Sequence, residues 1–194
     1  MIEQTLILLK PDAVARGLTG EIIRRFERVG LKIIAAKMLQ ATADLINQHY
    51  PPARRELLIN MGRTTLETDK KLGIDTKNVS GTDDPYELGL QIQKYNVEFL
   101  QSGPIWALVL AGPHAISVVR KIRGATLPSD ALPGTINGDY SFDSSHVANS
   151  TQRSVRNLVH ASGNKEEAEL EIKIWFSPNE IFDYQSVHQQ FMLT

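Results

Sequence analysis

The sequence contains no cysteine, no long apolar run and no marked excess of charge of either sign. Without cysteine, the protein can form no disulfide bond, no thiolate nucleophile and no cysteine-ligated zinc or iron–sulfur centre. No apolar run approaches the roughly 20 residues that a membrane-spanning helix needs, and the first residues lack the basic and apolar regions of a secretory signal. We therefore expect a soluble protein of the cytoplasm with no membrane partner.

The charge balance argues against a nucleic-acid partner. Lysine and arginine together number 21, and aspartate and glutamate number 22, so the formal net charge is −1. Nucleic-acid-binding domains are usually basic on one face, and no basic stretch with interleaved aromatic residues occurs here. The 194 residues suit one domain with a core of its own. A small basic pocket is compatible with this balance.

The common nucleotide and zinc-hydrolase motifs are also missing. The sequence contains no G-x-x-x-x-G-K-[ST], no G-x-G-x-x-G after a predicted strand and no H-E-x-x-H. A phosphate site in this protein would therefore be built without a P-loop. No pair of histidines has a convincing metal-ligand spacing, so no protein-held metal is expected.

Apolar periodicity predicts the order β-α-β-(helices)-β-α-(loop, helix)-β. Strands are predicted at 5–9, 31–39, 105–110 and 171–176. Helices are predicted at 20–29, 41–50 and 86–100, after Gly112-Pro113, and at 165–170. This order is typical of a ferredoxin-like βαββαβ fold of the α+β class, an antiparallel sheet with helices on one face.

Two polar stretches interrupt this order and are interpreted as insertions. The first, at about 51–87, has weak periodicity and is predicted to contain one helix. The second, at about 144–153, is smaller. The simpler interpretation of the first is a surface elaboration without chemistry.

Two segments could carry chemistry. Lys10-Pro11-Asp12-Ala13-Val14 follows a predicted buried strand, which places its lysine at the rim of the sheet. Arg156-Asn157-Leu158-Val159-His160-Ala161-Ser162 places a histidine among small and apolar residues, and a neutral imidazole is a competent nucleophile near pH 7. Taken singly, each has a simpler interpretation: an exposed lysine at a strand end, and a structural histidine.

Together, the two segments resemble the amino-terminal and active-site motifs of nucleoside diphosphate kinases. The second contains N-x-x-H-[GA]-S. Four further segments resemble the family and occur in the same order along the chain: Arg16-Gly17-Leu18-Thr19-Gly20-Glu21-Ile22-Ile23, Ser102-Gly103-Pro104, Gly124-Ala125-Thr126 and Pro133-Gly134-Thr135-Ile136. The resemblance covers most of residues 2–50 and 102–184, so residues 1–194 are interpreted as a single domain of this family that carries the two insertions.

The resemblance implies a phosphotransferase that moves the γ-phosphate of a nucleoside triphosphate to a nucleoside diphosphate by a ping-pong mechanism. His160 stands where the family has the histidine that carries the phosphoryl group. Glu171 matches the carboxylate that accepts the other ring N–H, fixes the tautomer and stabilises the developing charge. Mg²⁺ is implied as a cofactor that bridges the substrate phosphates rather than one held by a protein cage.

The resemblance also assigns phosphate and sugar contacts. Lys10 would contact the terminal phosphate and the ribose, and the Tyr50 hydroxyl would lie near the transferred group. Arg120 and Thr126 would hold the next phosphate, for which a planar guanidinium is well suited. Asn157 matches the residue that hydrogen-bonds the sugar hydroxyl. The simpler alternatives are that Arg120 is a solvent-facing helix arginine and that Asn157 is a turn asparagine.

The phosphate-binding pattern is incomplete in this sequence. The family has an arginine where this chain has Asn137. Losing one charged contact could cost about 1.5–3 kcal/mol, which corresponds to about 10- to 150-fold in binding or rate. Arg153 or Arg156 could supply the charge instead. Asn164 also replaces the aspartate that usually follows the histidine motif.

The base-binding pattern also differs from that of the family. By its spacing from Ser102-Gly103-Pro104, the position of the family's base-stacking aromatic falls near Ile92. Either this aliphatic side chain serves as the platform, or the first insertion supplies an aromatic through Tyr86 or Tyr95.

These departures leave an alternative function open: a nucleotide-binding or regulatory module on the same fold, catalytically weakened by the loss of the phosphate arginine. The resemblance further implies a homo-hexamer or a homo-tetramer built on dimers, with ATP and other nucleoside tri- and diphosphates as partners.

Overall fold

The computed structural model describes residues 2–51 and 55–192. Its centre is a four-stranded antiparallel sheet in the order β2-β3-β1-β4. The strands are β1 (Ile2–Leu9), β2 (Lys32–Leu39), β3 (Ile105–Pro113) and β4 (Val159–Ala161). The predicted ferredoxin-like α+β fold is confirmed by this order, in which the two central strands β1 and β3 pair along their whole length.

Eleven α-helices lie in the described ranges. The helices that complete the ferredoxin-like core or follow it are α1 (Pro11–Ala15), α2 (Thr19–Glu27), α3 (Ala43–His49), α6 (Pro85–Gln101), α7 (Ala115–Arg123), α10 (Lys165–Trp175) and α11 (Val187–Met192). The first insertion holds α4 (Arg55–Leu72) and α5 (Thr76–Ser80), and the loop region after α7 holds α8 (Ile136–Tyr140) and α9 (Ser145–Ser150). None of the described helices is both long and apolar enough to cross a membrane.

Apolar side chains of β1 point alternately to the two faces of the sheet, because successive residues of a strand face opposite sides. Leu6 and Leu8 belong to the core beneath α3, α6 and α10. Ile7 and Leu9 belong to the core beneath α2 and α7. The expected placement of helices on one face therefore holds for the two crossover helices α2 and α7, and further helices cover the opposite face.

The prediction of the fourth strand at 171–176 was wrong. That segment completes α10, which Asn164 caps by accepting the Glu167 N–H at 2.8 Å. The alternation of apolar and charged residues after Glu171 imitates a strand, but Ala168, Ile172 and Trp175 fall at helical spacing and are buried. The true fourth strand, β4, has three residues, which is too short to show a period.

The first insertion contains two helices where one was predicted. Its long helix α4 packs along α6 at two glycines. A Cβ on Gly62 would lie 1.9 Å from the Pro85 carbonyl oxygen, and one on Gly89 would lie 2.1 Å from the Leu58 carbonyl oxygen. These glycines therefore allow the two backbones to touch. Helix α4 also contacts α9, so the two insertions meet in space.

Candidate active site

A cleft of about 350 Å³ opens where β1 ends, β4 begins, and α4 meets α9. Six of the residues that the sequence assigned to the site line it: Lys10, Tyr50, Ile92, Thr126, Asn157 and His160. A larger groove of about 860 Å³ runs along α10 on another part of the surface. It includes none of these six residues.

The segment before β4 holds the two sequence motifs together. The Lys10 N–H donates to the Leu158 carbonyl at 2.8 Å, and the Leu158 N–H donates to Asp12 Oδ2 at 3.1 Å. Leu158 adopts a φ of 62°, a conformation that costs a non-glycine residue energy and needs support from its surroundings. The Asp12 carboxylate supplies that support, and so it fixes the start of the strand that carries His160.

The His160 ring lies between a carboxylate and a phenol. Its Nε2 is 3.1 Å from both Glu171 carboxylate oxygens, and its Nδ1 is 3.3 Å from the Tyr50 hydroxyl. An ionised carboxylate can only accept, so Nε2 carries the proton. This hydrogen-bond pattern assigns the lone pair to Nδ1, the nitrogen that can attack an electrophile.

Glu171 is held as a charged acceptor. Burial alone would raise its pKa, but the hydrogen bond and charge of His160, the charge of His49 and the Ser162 hydroxyl hold the pKa of Glu171 below its usual value. The Ser162 hydroxyl donates to Glu171 Oε2 at 2.6 Å and accepts the Leu6 N–H at 3.2 Å. The carboxylate is thus anchored to β1 and can orient the imidazole.

Tyr50 stays a hydrogen-bond donor. Burial, reinforced by the charge of Glu171, raises the pKa of Tyr50 well above its usual range. Tyr50 follows α3 directly, and its carbonyl accepts a hydrogen bond from Gln93 Nε2 at 2.8 Å. Helix α6 therefore fixes the position of this phenol beside His160.

Lys10 forms the cationic part of the cleft. Its Nζ donates to Asn157 Oδ1 at 2.7 Å, and Asn157 Nδ2 donates to the Thr126 carbonyl at 2.9 Å. Burial lowers the pKa of Lys10 to about 8; the charges of Arg123 and Arg156 act in the same direction, and Asp12 opposes them. A cation with so depressed a pKa is one that an anionic ligand would stabilise.

A family model for nucleoside diphosphate kinase matches residues 3–60 and 89–181 of this chain. The chain belongs to the nucleoside diphosphate kinase family. A nucleoside diphosphate kinase of Pyrobaculum aerophilum is 50% identical over 182 residues, which cover 94% of this chain and 99% of that protein.

Solved structures of the family agree with this assignment. The crystal structure of an NDP kinase from Pyrobaculum aerophilum has a TM-score of 0.89 to this chain at 48% identity, and it covers 94% of this chain and 100% of its own. A structure from Borrelia burgdorferi, described as a transition-state mimic of nucleoside-diphosphate kinase with bound vanadate and ADP, has a TM-score of 0.79 at 34% identity; it covers 97% of this chain and 95% of its own.

Besides Glu171, which contacts the His160 ring but does not line the cleft, two residues assigned by the kinase resemblance lie outside the cleft lining. Asn137 is fully buried and donates from Nδ2 to the Ala125 carbonyl at 2.7 Å. It therefore holds the turn that carries Thr126. Arg120 is exposed and lies beside Gly163, just past the histidine motif. The structure places neither side chain against the cleft.

Several lining residues were not found from the sequence. Arg123, the last residue of α7, is buried to 8% exposure and lines the cleft. Its position three residues before Thr126, next to a matched motif, was the available signal. The insertions add Met61, Thr64, Thr65, Ser145, Ala148 and Asn149 to the walls. Residues of the first insertion, which the sequence suggested to be a surface elaboration without chemistry, therefore form part of the cleft wall.

The aromatic candidates for base stacking lie elsewhere. Ile92 lines the cleft together with Met61 of α4. The Tyr86 ring packs 3.9 Å from the Arg55 guanidinium, and Tyr95 lines a separate small pocket. Of the alternatives raised by the sequence, the aliphatic platform is the one that the geometry brings to the cleft.

The cleft does not resemble a protein cage for Mg²⁺. Among the described residues that line it, none carries a carboxylate, whereas Mg²⁺ prefers oxygen ligands. His49, His160 and Glu171 offer ligand atoms within 4.8 Å of one another, but an imidazole-rich set suits a transition metal.

Proposed function

We propose that this nucleoside diphosphate kinase transfers the γ-phosphate of a nucleoside triphosphate to a nucleoside diphosphate through a phosphohistidine at His160. The observation that carries the proposal is the orientation of the ring. Nε2 faces Glu171 at 3.1 Å, and the opposite nitrogen, Nδ1, is left with the lone pair. His160 lines the same cleft as Lys10 and Thr126.

In the first step, Nδ1 attacks the γ-phosphorus, the N–P bond forms and the bond to the β–γ bridging oxygen breaks. The nucleoside diphosphate leaves with that oxygen. The Nε2 proton stays on the ring, and Glu171 compensates the positive charge that develops there. In the second step, the terminal phosphate oxygen of another nucleoside diphosphate attacks the same phosphorus, and His160 leaves with its lone pair restored.

Before attack, the Tyr50 hydroxyl must release Nδ1. In the free protein, these atoms are 3.3 Å apart, a long and weak hydrogen bond. An incoming phosphoryl oxygen is a better acceptor for the phenol. We therefore assign to Tyr50 the exchange of its bond from Nδ1 to the transferred group, which frees the nucleophile as the substrate binds.

The remaining contacts follow the lining of the cleft. We assign the terminal phosphate to Lys10, the neighbouring phosphate to Thr126, and the sugar hydroxyl to Asn157. Ile92, with Met61, provides an aliphatic surface for the base. Mg²⁺ enters with the nucleotide and neutralises part of the phosphate charge. Arg120 would have to turn towards the cleft to make its assigned contact.

We also propose that the chain is a single kinase domain with insertions at about 51–87 and 144–153. We place the protein in the cytoplasm. We further propose that it forms a homo-hexamer or a homo-tetramer. The family model leaves residues 61–88 unmatched, which supports the first insertion. Leu132 and Phe142 are 74% and 92% exposed, which supports a contact with further copies. Sedimentation equilibrium tests the assembly, and a monomer would contradict it.

The function is tested with γ-labelled ATP and Mg²⁺, followed by a chase with GDP. The wild type is expected to carry acid-labile, base-stable label that moves to GTP, and His160→Ala is expected to carry none. Label that does not chase would indicate failed acceptor binding. ATP that binds without labelling the protein would instead support the alternative function, a nucleotide-binding module. That alternative arises because Asn137 stands where the family has an arginine.

A further inference from the structure

Arg123 is a buried guanidinium in the cleft. It is 8% exposed and lines the same cleft as Lys10 and His160. Its Nη2 donates to Thr126 Oγ1 at 3.1 Å, and its Nε donates to the Gly124 carbonyl at 3.2 Å. A guanidinium has five N–H donors, so these two bonds leave three for a ligand.

This buried charge has no acidic partner among the described residues. No ion pair joins Arg123 to a carboxylate there. Burial and then the charge of Arg120 lower its pKa, which the charge of Tyr50 opposes. Buried arginines are rarely left without a counter-charge, and Lys10 adds a second cation to the same cleft. The pair is therefore complementary to a ligand with several negative charges.

The two arginines that the sequence offered as substitutes are engaged elsewhere. Arg153 lines the cleft, but both of its terminal nitrogens bond the Asp143 carboxylate. The Arg156 guanidinium lies 3.9 Å from the centre of the Phe99 ring and lines a different pocket. Both substitutes that the sequence suggested for the missing family arginine are thus already satisfied or turned away.

We propose that Arg123 binds the phosphate chain of the nucleotide and supplies the positive charge that Asn137 does not. Because Arg123 donates to the Thr126 hydroxyl, both groups would meet the same phosphate. Asn137 takes a supporting role, since it holds the Ala125 carbonyl in the turn between them. The positive charge that the family places at position 137 is thus supplied here from the end of α7. This inference rests on the proposed nucleotide site and concerns binding, so it can be tested apart from phosphoryl transfer.

The test compares ADP with adenosine by calorimetric titration, in the presence of Mg²⁺. Arg123→Gln is expected to weaken ADP binding by about 10- to 150-fold and to leave adenosine binding unchanged, since adenosine has no phosphate. Arg123→Lys is expected to recover part of the ADP affinity, because it restores the charge without the planar fork. Arg156→Gln, a matched change of an arginine outside the cleft, is expected to bind ADP like the wild type.

Each other outcome would overturn the inference. Wild-type ADP affinity in Arg123→Gln would show that the phosphates do not reach Arg123. Equal weakening of ADP and adenosine would show a purely structural role at the end of α7. A loss confined to Arg156→Gln would move the contact to that residue. Should Arg123→Gln fold poorly in a thermal melt without nucleotide, Arg123→Met replaces it in the same comparison.

The labelling experiment keeps the two proposals apart. A wild type that labels His160 while Arg123→Gln binds ADP normally would retain the proposed function and refute the role of Arg123. A wild type that binds ADP no better than adenosine would refute both proposals.

Discussion

The protonation of Lys10 should control nucleotide affinity in mildly alkaline solution. Burial lowers the pKa of Lys10 to about 8 in the free protein. A bound polyphosphate stabilises the ammonium form and raises that pKa again. Raising the pH above 8 therefore forces the nucleotide either to bind a neutral lysine or to bring a proton with it.

The magnitude follows from the titration curve. One pH unit above its pKa, about one-tenth of the lysine is charged, so the dissociation constant for ADP should rise about tenfold between pH 7 and pH 9. Binding at pH 9 should take up close to one proton per site. Titration calorimetry in two buffers of different ionisation enthalpy measures both quantities. Lys10→Arg, which stays charged, should give a flat profile and no proton uptake.

The same shift has a defined effect on stability. The folded-state pKa of Lys10 lies below that of an unfolded lysine, so the charged form destabilises the fold below pH 8, and this penalty is relieved as the pH rises from about 8 to 10. Without nucleotide, wild type should gain stability relative to Lys10→Met over this window. An ADP affinity that does not change between pH 7.5 and 9.5, with no proton uptake, would refute the account of Lys10.

Three further predictions concern the nucleophile and the insertion. Glu171→Gln should slow phosphorylation of the enzyme by about 10- to 150-fold in rapid-quench experiments without changing ADP affinity; an unchanged rate would contradict its role. Tyr50→Phe should slow the same step by about 2- to 10-fold, the value of a neutral hydrogen bond, and faster phosphorylation would refute the assigned exchange. Gly89→Ala should lower the free energy of unfolding in urea by about 1–3 kcal/mol, because an added Cβ meets the Leu58 carbonyl at 2.1 Å. Its control, Gly20→Ala, meets nothing within 4 Å and should be neutral.

The fold was largely predictable because its core elements are periodic. The runs that became β1, β2 and β3, and the amphipathic faces of α2 and α7, carry the expected patterns. Residues 159–161 do not, since three residues cannot show a period and β4 is defined by its pairing with β1. The helix α10 was divided in the prediction because Glu171 interrupts its apolar face. That carboxylate is buried against His160, a contact between distant elements that no local rule anticipates.

The site was predictable where motifs carry it and not where packing decides it. His160 and Lys10 stand in motifs, and the structure brings them to one cleft. Asn137 was matched to the family by its position, yet its side chain points to the Ala125 carbonyl. The direction of this side chain is set by the packing around it and cannot be deduced from the motif. Arg123 was missed because the end of an amphipathic helix is also where an ordinary solvent-facing arginine is favoured.

The insertions were not predictable as parts of the cleft. The 72 residues from 73 to 144 separate α4 from α9 along the chain, and the two helices meet only in the folded structure. Neither helix carries a motif. Their polar composition indicates a surface, and the walls of an open cleft are a surface as well.

The most direct test of the account is to determine which ring nitrogen of His160 carries the phosphoryl group. The labelled enzyme can be hydrolysed in alkali, in which phosphohistidine survives, and the two phosphohistidine isomers separated and compared with standards. The hydrogen bond from Nε2 to Glu171 predicts phosphorylation at Nδ1. Phosphate on Nε2, or on a residue other than His160, would contradict it.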